Sequence, residues 1–460
     1  MKCVHLFSAL LLLGTASAVT TAAAQPKPPA SNAQKSLSTP MVKHTGTAPT
    51  GYEVTFRYKD ATATRVQIKG EWYFADPTKL APSSTFTNTI VTPALLPKDW
   101  KPGFFPIQSP NNNGANFPVT DMTKGPGGVW TYTTPLPSGW FNYSFYVNCA
   151  GPTQAGCKAV SDPGNLPWNQ TGEATIGSKQ TNSQVYVPSD PAFGTIDYSW
   201  QAPSPTAHGK LAVVSYHSPI SLDPKGENYL AVYTPPGSDP QRSAPYPTLY
   251  LAHGAGENEM AWSTQGVAGN ILDNLIATGQ ISPLVVIMPS GDALPGKRPD
   301  RSYDQEPYNK NLIDTIIPFV ESHYNVSKSA SDRAVAGLSQ GSGIANSLLL
   351  NHTGDFAFYG SLSRGPSFLV PLASGLTAQQ IAAIKQVKGI FVGAGWEERG
   401  SPYTPFMFTT LASIGAPVTP DFVHGGHEWY VWRILLRDFV TKVAFRPPVN
   451  QECPQCVGPN

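Results

Sequence analysis

The residues best suited to chemistry sit in the second half of the chain. Gly337-Leu338-Ser339-Gln340-Gly341 is a G-x-S-x-G pentapeptide lying between an apolar run, Arg333 to Ala336, and a helical pattern that starts at Ser342. That context puts the serine on a tight strand-to-helix turn, where glycines permit close backbone approach and a helix N-terminus favours a developing anion. A serine hydroxyl becomes a nucleophile only when a base takes its proton. Gly425-Gly426-His427, just before the last helical pattern, supplies the imidazole. Glu397 and Glu398, after the strand Ile390-Phe391-Val392, supply carboxylates in the chain order serine, acid, histidine. Only one of them can orient the imidazole, and the assignment chosen is Glu398; Asp355 falls in the same window but precedes a different strand. His253-Gly254-Ala255-Gly256 follows an apolar strand ending at Ala252, where a loop can aim a backbone N–H at an oxyanion. The second donor is the backbone N–H of Gln340. This is the equipment of acyl transfer, which needs no metal and no organic cofactor. His424 and His427 as a metal pair would have only Glu428 nearby to complete a ligand set. Trp262, Trp396 and Trp429 flank the same loops and are read as substrate-binding residues that stack on a phenolic acyl group.

The elements that must hold these residues alternate between strand and helix. Leu211–Tyr216 and Tyr229–Thr234 pair as strands, and Thr248–Ala252 and Leu284–Met288 are unbroken apolar runs, as in strands buried on both faces. Helical spacing covers 267–278, 311–324, 342–351, 404–414 and 429–443, with a strand at Gly389–Ala394. This predicts an α/β fold over 208–446, a mainly parallel sheet with helices on both faces. Residues 50–187 differ. Alternation in Glu53–Tyr58, Val66–Ile68 and Tyr143–Val147 predicts a smaller all-β sandwich, interrupted from Phe74 to Gly128 by a Pro-, Asn- and Thr-rich stretch without clear elements. A Pro-bearing linker, 188–207, joins the two domains, and a tail with Cys453-Pro454-Gln455-Cys456 occupies 447–460.

With 31 Lys+Arg against 30 Asp+Glu the net charge is +1, which lacks the basic footprint of a nucleic-acid partner. Lys2, the apolar run Leu6–Leu13 and small residues at Ala16–Ala18 and Ala22–Ala24 read as a signal peptide over 1–24, cleaved after Ala18 or Ala24. Its apolar run is too short to span a bilayer, and no later membrane span is found. Residues 25–49 read as a disordered tether. Localisation is therefore expected to be secreted, periplasmic in a Gram-negative host. In that compartment Cys149, Cys157, Cys453 and Cys456 suggest two local disulfides, although four cysteines allow three connectivities. Asn142, Asn169, Asn325 and Asn351 open N-x-Ser/Thr sequons.

Residues 208–445 resemble the esterase-D or feruloyl-esterase group of carbohydrate esterase family one. The likeness rests on His253–Asn258 with Trp262, Asp273–Ala277, Ile316–Glu321, Arg333–Ser339 and Gly426–Trp429. It implies an α/β-hydrolase with Ser339 as nucleophile, His427 as base, and Ala255 and Gln340 as oxyanion donors. The family more often carries Asp where Glu398 falls and Met where Gln340 stands. The expected substrate is a feruloyl or acetyl ester of plant cell-wall polysaccharide, the alternative a siderophore trilactone or, for an inactive hydrolase, a glycan. The N-terminal module resembles early-set Ig-like domains related to glycogen-binding modules, on Val54–Phe56, Val66–Gly70, Gly128–Trp130, Tyr143–Phe145 and Ser161–Pro163. That likeness raises glycan binding beside a role in positioning or completing the pocket.

Overall fold

A computed structural model describes residues 37–82, 88–90, 95–107, 119–149, 157–167, 182–291, 293–296, 304–363, 375–398 and 403–447. The signal peptide, Asn169, Cys453 and Cys456 lie outside these residues.

The N-terminal domain is a sandwich of two four-stranded sheets. One orders Met41–His44, Tyr52–Lys59, Val129–Pro135 and Thr123–Lys124; the other orders Ser183–Val187, Gly139–Val147, Val66–Gly70 and Val119–Asp121. Alternate residues of facing strands, among them Val54, Phe56, Ile68, Tyr143 and Phe145, close a core around the fully buried Trp72. Two expectations are corrected here. The sandwich begins before residue 50, because Met41–His44 pairs antiparallel with Tyr52–Thr55. This edge strand is exposed at all four positions, so it carries no alternation to betray it. The stretch after Phe74 does hold elements, but they are strands of two or three residues, such as Phe74–Ala75 paired with Phe105–Pro106. Such lengths are too short to show a period. Cys149 and Cys157 are disulfide-bonded, closing the loop after Gly139–Val147.

The second domain is an eight-stranded sheet ordered Lys210–His217, Glu227–Thr234, Val285–Pro289, Thr248–Ala252, Arg333–Leu338, Phe358–Leu362, Gly389–Gly395 and Val418–Val423. The first three strands are antiparallel neighbours and the rest run parallel, each parallel strand buried on both faces except the polar end of the last. Helices Ala268–Ala277 and Trp429–Lys442 cover one side through Ile271, Leu272, Leu435 and Phe439. Gln340–Asn351 and Ile317–His323 cover the other through Ile344, Leu348 and Val320. The pattern expected over 311–324 begins earlier, at Glu306, and includes a π-turn at Leu312–Ile316 ahead of Pro318. The helix Ala378–Ile384 and the strand Val418–Val423 were not anticipated.

The linker is not a free tether. Asn274 donates to the carbonyls of Trp200 and Ala202 at 3.2 and 2.8 Å, Arg437 lies over the Trp200 ring at 4.6 Å, and the Tyr198 and Tyr430 hydroxyls meet at 2.8 Å. The buried Arg433 guanidinium donates to the Gln265 carbonyl in its own domain and to the Trp140 carbonyl of the sandwich, at 2.9 and 3.1 Å. Burial pushes its pKa down to about 10, against the pull of Glu71 and Glu428. Bonded across the seam in this way, the sandwich presents a fixed face to the hydrolase domain.

Candidate active site

Ser339 follows the central strand Arg333–Leu338 and opens the helix Gln340–Asn351 with φ +52° and ψ −110°, a conformation L-residues rarely adopt. The strain is imposed by close packing. A Cβ on Gly337 would lie 2.4 Å from the Gly341 carbonyl carbon, and one on Gly341 would lie 2.6 Å from the Ala252 oxygen. Helix and neighbouring strand thus approach with no room for a side chain. Ser339 makes no side-chain cap on its own helix, while its N–H donates to the Leu362 carbonyl at 3.0 Å.

The loop after Thr248–Ala252 rests against the serine. A Cβ on Gly254 would stand 3.5 Å from the Ser339 Cβ. Ala255 is exposed at the tip of this loop, and Gln340 is the first helical residue after the serine. The Gly291 N–H donates to His253 Nε2 at 3.0 Å, which leaves the ring proton on Nδ1, 2.7 Å from the Gly254 carbonyl. His253 therefore braces the loop with both nitrogens.

His424-Gly425-Gly426-His427 joins the strand Val418–Val423 to the helix Trp429–Lys442. The two glutamates after Gly389–Gly395 serve different histidines. Glu398, 2 % exposed, brings Oε2 to 3.4 Å from His427 Nδ1 and accepts the Gly395 N–H at 3.3 Å. Glu397, 3 % exposed, takes His424 Nδ1 at 3.0 Å and the Gly425 N–H at 2.6 Å. With each ring committed to its own carboxylate, the metal-pair reading loses its shared ligands. Asp355 precedes the N-terminal end of Phe358–Leu362, whereas Ser339 follows the C-terminal end of the adjacent parallel strand, so the two lie at opposite ends of the strands.

Burial disfavours charge on His427, but the carboxylates of Glu398 and Glu257 outweigh it and raise the pKa above the usual imidazole value. Glu257 was not singled out from sequence, although it lies one residue past the HGAG loop. Burial raises its pKa to about 7, opposed by the Gly254 N–H that donates to it at 2.9 Å and by His427. Glu428 is buried too, and burial holds its carboxyl well above the ordinary range.

The tryptophans divide. Trp262 is fully buried, its indole N–H donating to the Ala252 carbonyl at 2.9 Å, so the expected substrate-stacking role is withdrawn: no face is left for a ligand. It props Trp429 edge-on at 5.2 Å, and Trp429 in turn meets Trp432 at 5.1 Å. Trp432, unrecognised in the sequence, stands edge-on to the His427 ring at 5.0 Å. Trp396 packs on Phe422 at 4.8 Å and remains partly exposed.

The sandwich takes part as well. Phe105, from the short strands that interrupt it, stacks on His424 at 5.2 Å. Asn142 is 3 % exposed and its Nδ2, the atom a glycan would be attached to, donates to Glu71 Oε2 at 2.7 Å. Trp72, Trp130 and Trp140 offer no sugar platform: the first two are buried, and the third packs against the hydrolase core. No helix among the described residues is long and apolar enough to cross a membrane.

The chain is similar to several known proteins. Residues 221–442 match the family model described as "Putative esterase". The chain is 31 % identical over 325 residues to an endo-1,4-beta-xylanase/feruloyl esterase of Xylanibacter ruminicola, a match covering 69 % of this chain and 40 % of that relative. The chain thus spans well under half of that protein's length. Among solved structures, a ferulic acid esterase of Anaeromyces mucronatus aligns with 54 % of this chain and 96 % of its own, at 17 % identity and TM-score 0.48. The enterobactin esterase of Shigella flexneri aligns with 85 % of this chain and 92 % of its own, at 18 % identity and TM-score 0.46.

Proposed function

We propose that residues 221–442, which match the "Putative esterase" family model, make the chain a secreted serine hydrolase releasing feruloyl or acetyl groups from plant cell-wall polysaccharide. Ser339 Oγ attacks the ester carbonyl while His427 takes its proton, and Glu398 holds the imidazole with its proton on Nδ1. The backbone N–H groups of Ala255 and Gln340 stabilise the oxyanion. His427 then gives its proton to the leaving alcohol, and water, activated by the same ring, releases the acid. The observation that carries the reading is the contact of buried Glu398 with the partly exposed His427 ring at 3.4 Å, in the domain whose serine is strained at φ +52°. The feruloyl preference draws on the printed name of the Xylanibacter relative, and export on the sequence of residues 1–24.

The test is purified protein and its Ser339→Ala variant assayed against methyl ferulate, a short acetyl ester, acetylated xylan and an iron-free trilactone siderophore. The variant should lose on the order of 10⁶ in kcat. Near-normal turnover by Ser339→Ala would sink the nucleophile. Negligible wild-type turnover of methyl ferulate beside rapid cleavage of the trilactone would replace the substrate class.

A further inference from the structure

A pocket of about 310 Å³ opens on the seam between the two domains. One wall is Lys69, Glu71 and Asn142 of the sandwich, and the opposite wall is His427, Trp429 and Trp432. We propose that this pocket receives the sugar-bearing alcohol half of the ester, so that the N-terminal domain supplies the leaving-group subsite and not a separate glycan anchor. The proposal rests on the esterase reading above.

Position argues first. His427 lines the pocket and Ser339 does not. In acyl transfer the protonated imidazole gives its proton to the departing alkoxide as the ester C–O bond breaks, so the alcohol must lie on the histidine's side of the reacting carbon. A pocket walled by the base and set apart from the nucleophile is on that side.

Chemistry argues second. Two side chains that wall the pocket carry buried polar atoms with no partner among the described residues: Asn142 Oδ1, in a residue 3 % exposed, and Trp432 Nε1–H, in a residue 6 % exposed. The orientation of the Asn142 amide is fixed, because its Nδ2 donates to Glu71 Oε2 at 2.7 Å, which leaves Oδ1 as the unused acceptor. One orphan accepts and the other donates, and vicinal hydroxyls answer both. Aromatic rings set beside planar amide and carboxylate groups suit a sugar, whose faces are apolar and whose edge is polar. The volume lies at the small end of ligand sites, room for a sugar residue and its near neighbour but not for a long chain.

Rigidity argues third. Asn142 sits within Gly139–Val147, the strand whose Trp140 carbonyl receives Arg433, and Asn182 of the sandwich donates to Gln265 across the same seam at 3.3 Å. The sandwich wall is therefore held in place before substrate arrives.

The experiment compares two esters with one acyl group, methyl ferulate and a feruloylated methyl arabinofuranoside, on wild type, Trp432→Phe and Asn142→Ala. Trp432→Phe keeps an aromatic ring beside His427 while removing the indole N–H together with part of the ring. The wild type should prefer the sugar ester in kcat/KM. Each variant should lower that preference ratio by about threefold to tenfold, the loss of a single hydrogen bond. Wild type that cleaves neither ester defeats the esterase reading itself. Wild type that cleaves both with a ratio near one overturns this inference alone and needs no variant to fold. So does an unmoved ratio in a variant that keeps the wild-type unfolding temperature.

Discussion

Replacing Glu398 and Glu397 separately by glutamine asks which of two adjacent buried carboxylates serves the base. Glu398→Gln keeps the shape of the side chain and changes one oxygen to an NH₂. If the remaining oxygen keeps the Gly395 N–H, the new amide faces His427 Nδ1, now 3.4 Å from the carboxylate. Nδ1 must then accept, and the ring proton moves to Nε2, the nitrogen that has to take the serine proton. The tautomer is wrong for catalysis, and the comparable change in a Ser-His-Asp triad costs about 10⁴ in kcat. At about 1.4 kcal/mol per tenfold, that is roughly 5.5 kcal/mol of barrier. Glu397→Gln instead weakens the charged acceptor that holds His424 and the Gly425 N–H at 3.0 and 2.6 Å. Losing a hydrogen bond to a charged group costs about 1.5–3 kcal/mol, felt first as a less stable loop. Less than about 10² of kcat should go with it, by the same conversion. Steady-state kinetics on a chromogenic feruloyl ester, with active sites titrated by a fluorophosphonate, separates the two. A Glu397→Gln loss equal to or above that of Glu398→Gln would refute the assignment and the geometry behind it.

Two further outcomes follow from the same structure. In the proposed mechanism His427 works as a neutral ring, and its pKa is raised, so kcat/KM should fall as pH drops through a value above that of free imidazole. Glu257→Gln removes the second carboxylate that favours the imidazolium, itself about half ionised near pH 7, and the acid limb should move to lower pH; a pH profile that stays put removes Glu257 from the site. Gly341→Ala drives a Cβ to 2.6 and 2.7 Å from the Ala252 and His253 oxygens, backbone atoms that cannot swing away. It should cost about 2–3 kcal/mol and lower Tm by roughly 5–10 °C in thermal unfolding, while Gly354→Ala, whose Cβ meets nothing within 4 Å, should stay within error.

The parallel-sheet domain was legible because continuous apolar runs such as Thr248–Ala252 and helical spacing such as Ala268–Ala277 are long enough to show a period. The strand Met41–His44 and the two-residue strands at Phe74 and Phe105 were not, because exposed or very short strands have none. Trp262 illustrates a different limit. An indole near a catalytic loop reads the same whether it faces a ligand or the core, and here a hydrogen bond to Ala252 commits it to the core.

By itself the sequence determined the types and order of the groups proposed to react, since a serine between crowded glycines, a carboxylate and a histidine after strand ends are local patterns. The tertiary structure decided which carboxylate faces which ring, because Glu397 and Glu398 differ only in the direction their side chains leave one turn. It alone decided that Asn142 and Glu71, more than 280 residues from His427 along the chain, wall the same pocket. That adjacency is set by Arg433 and the tyrosine pair packing one domain on the other, a long-range contact that no spacing in the sequence encodes.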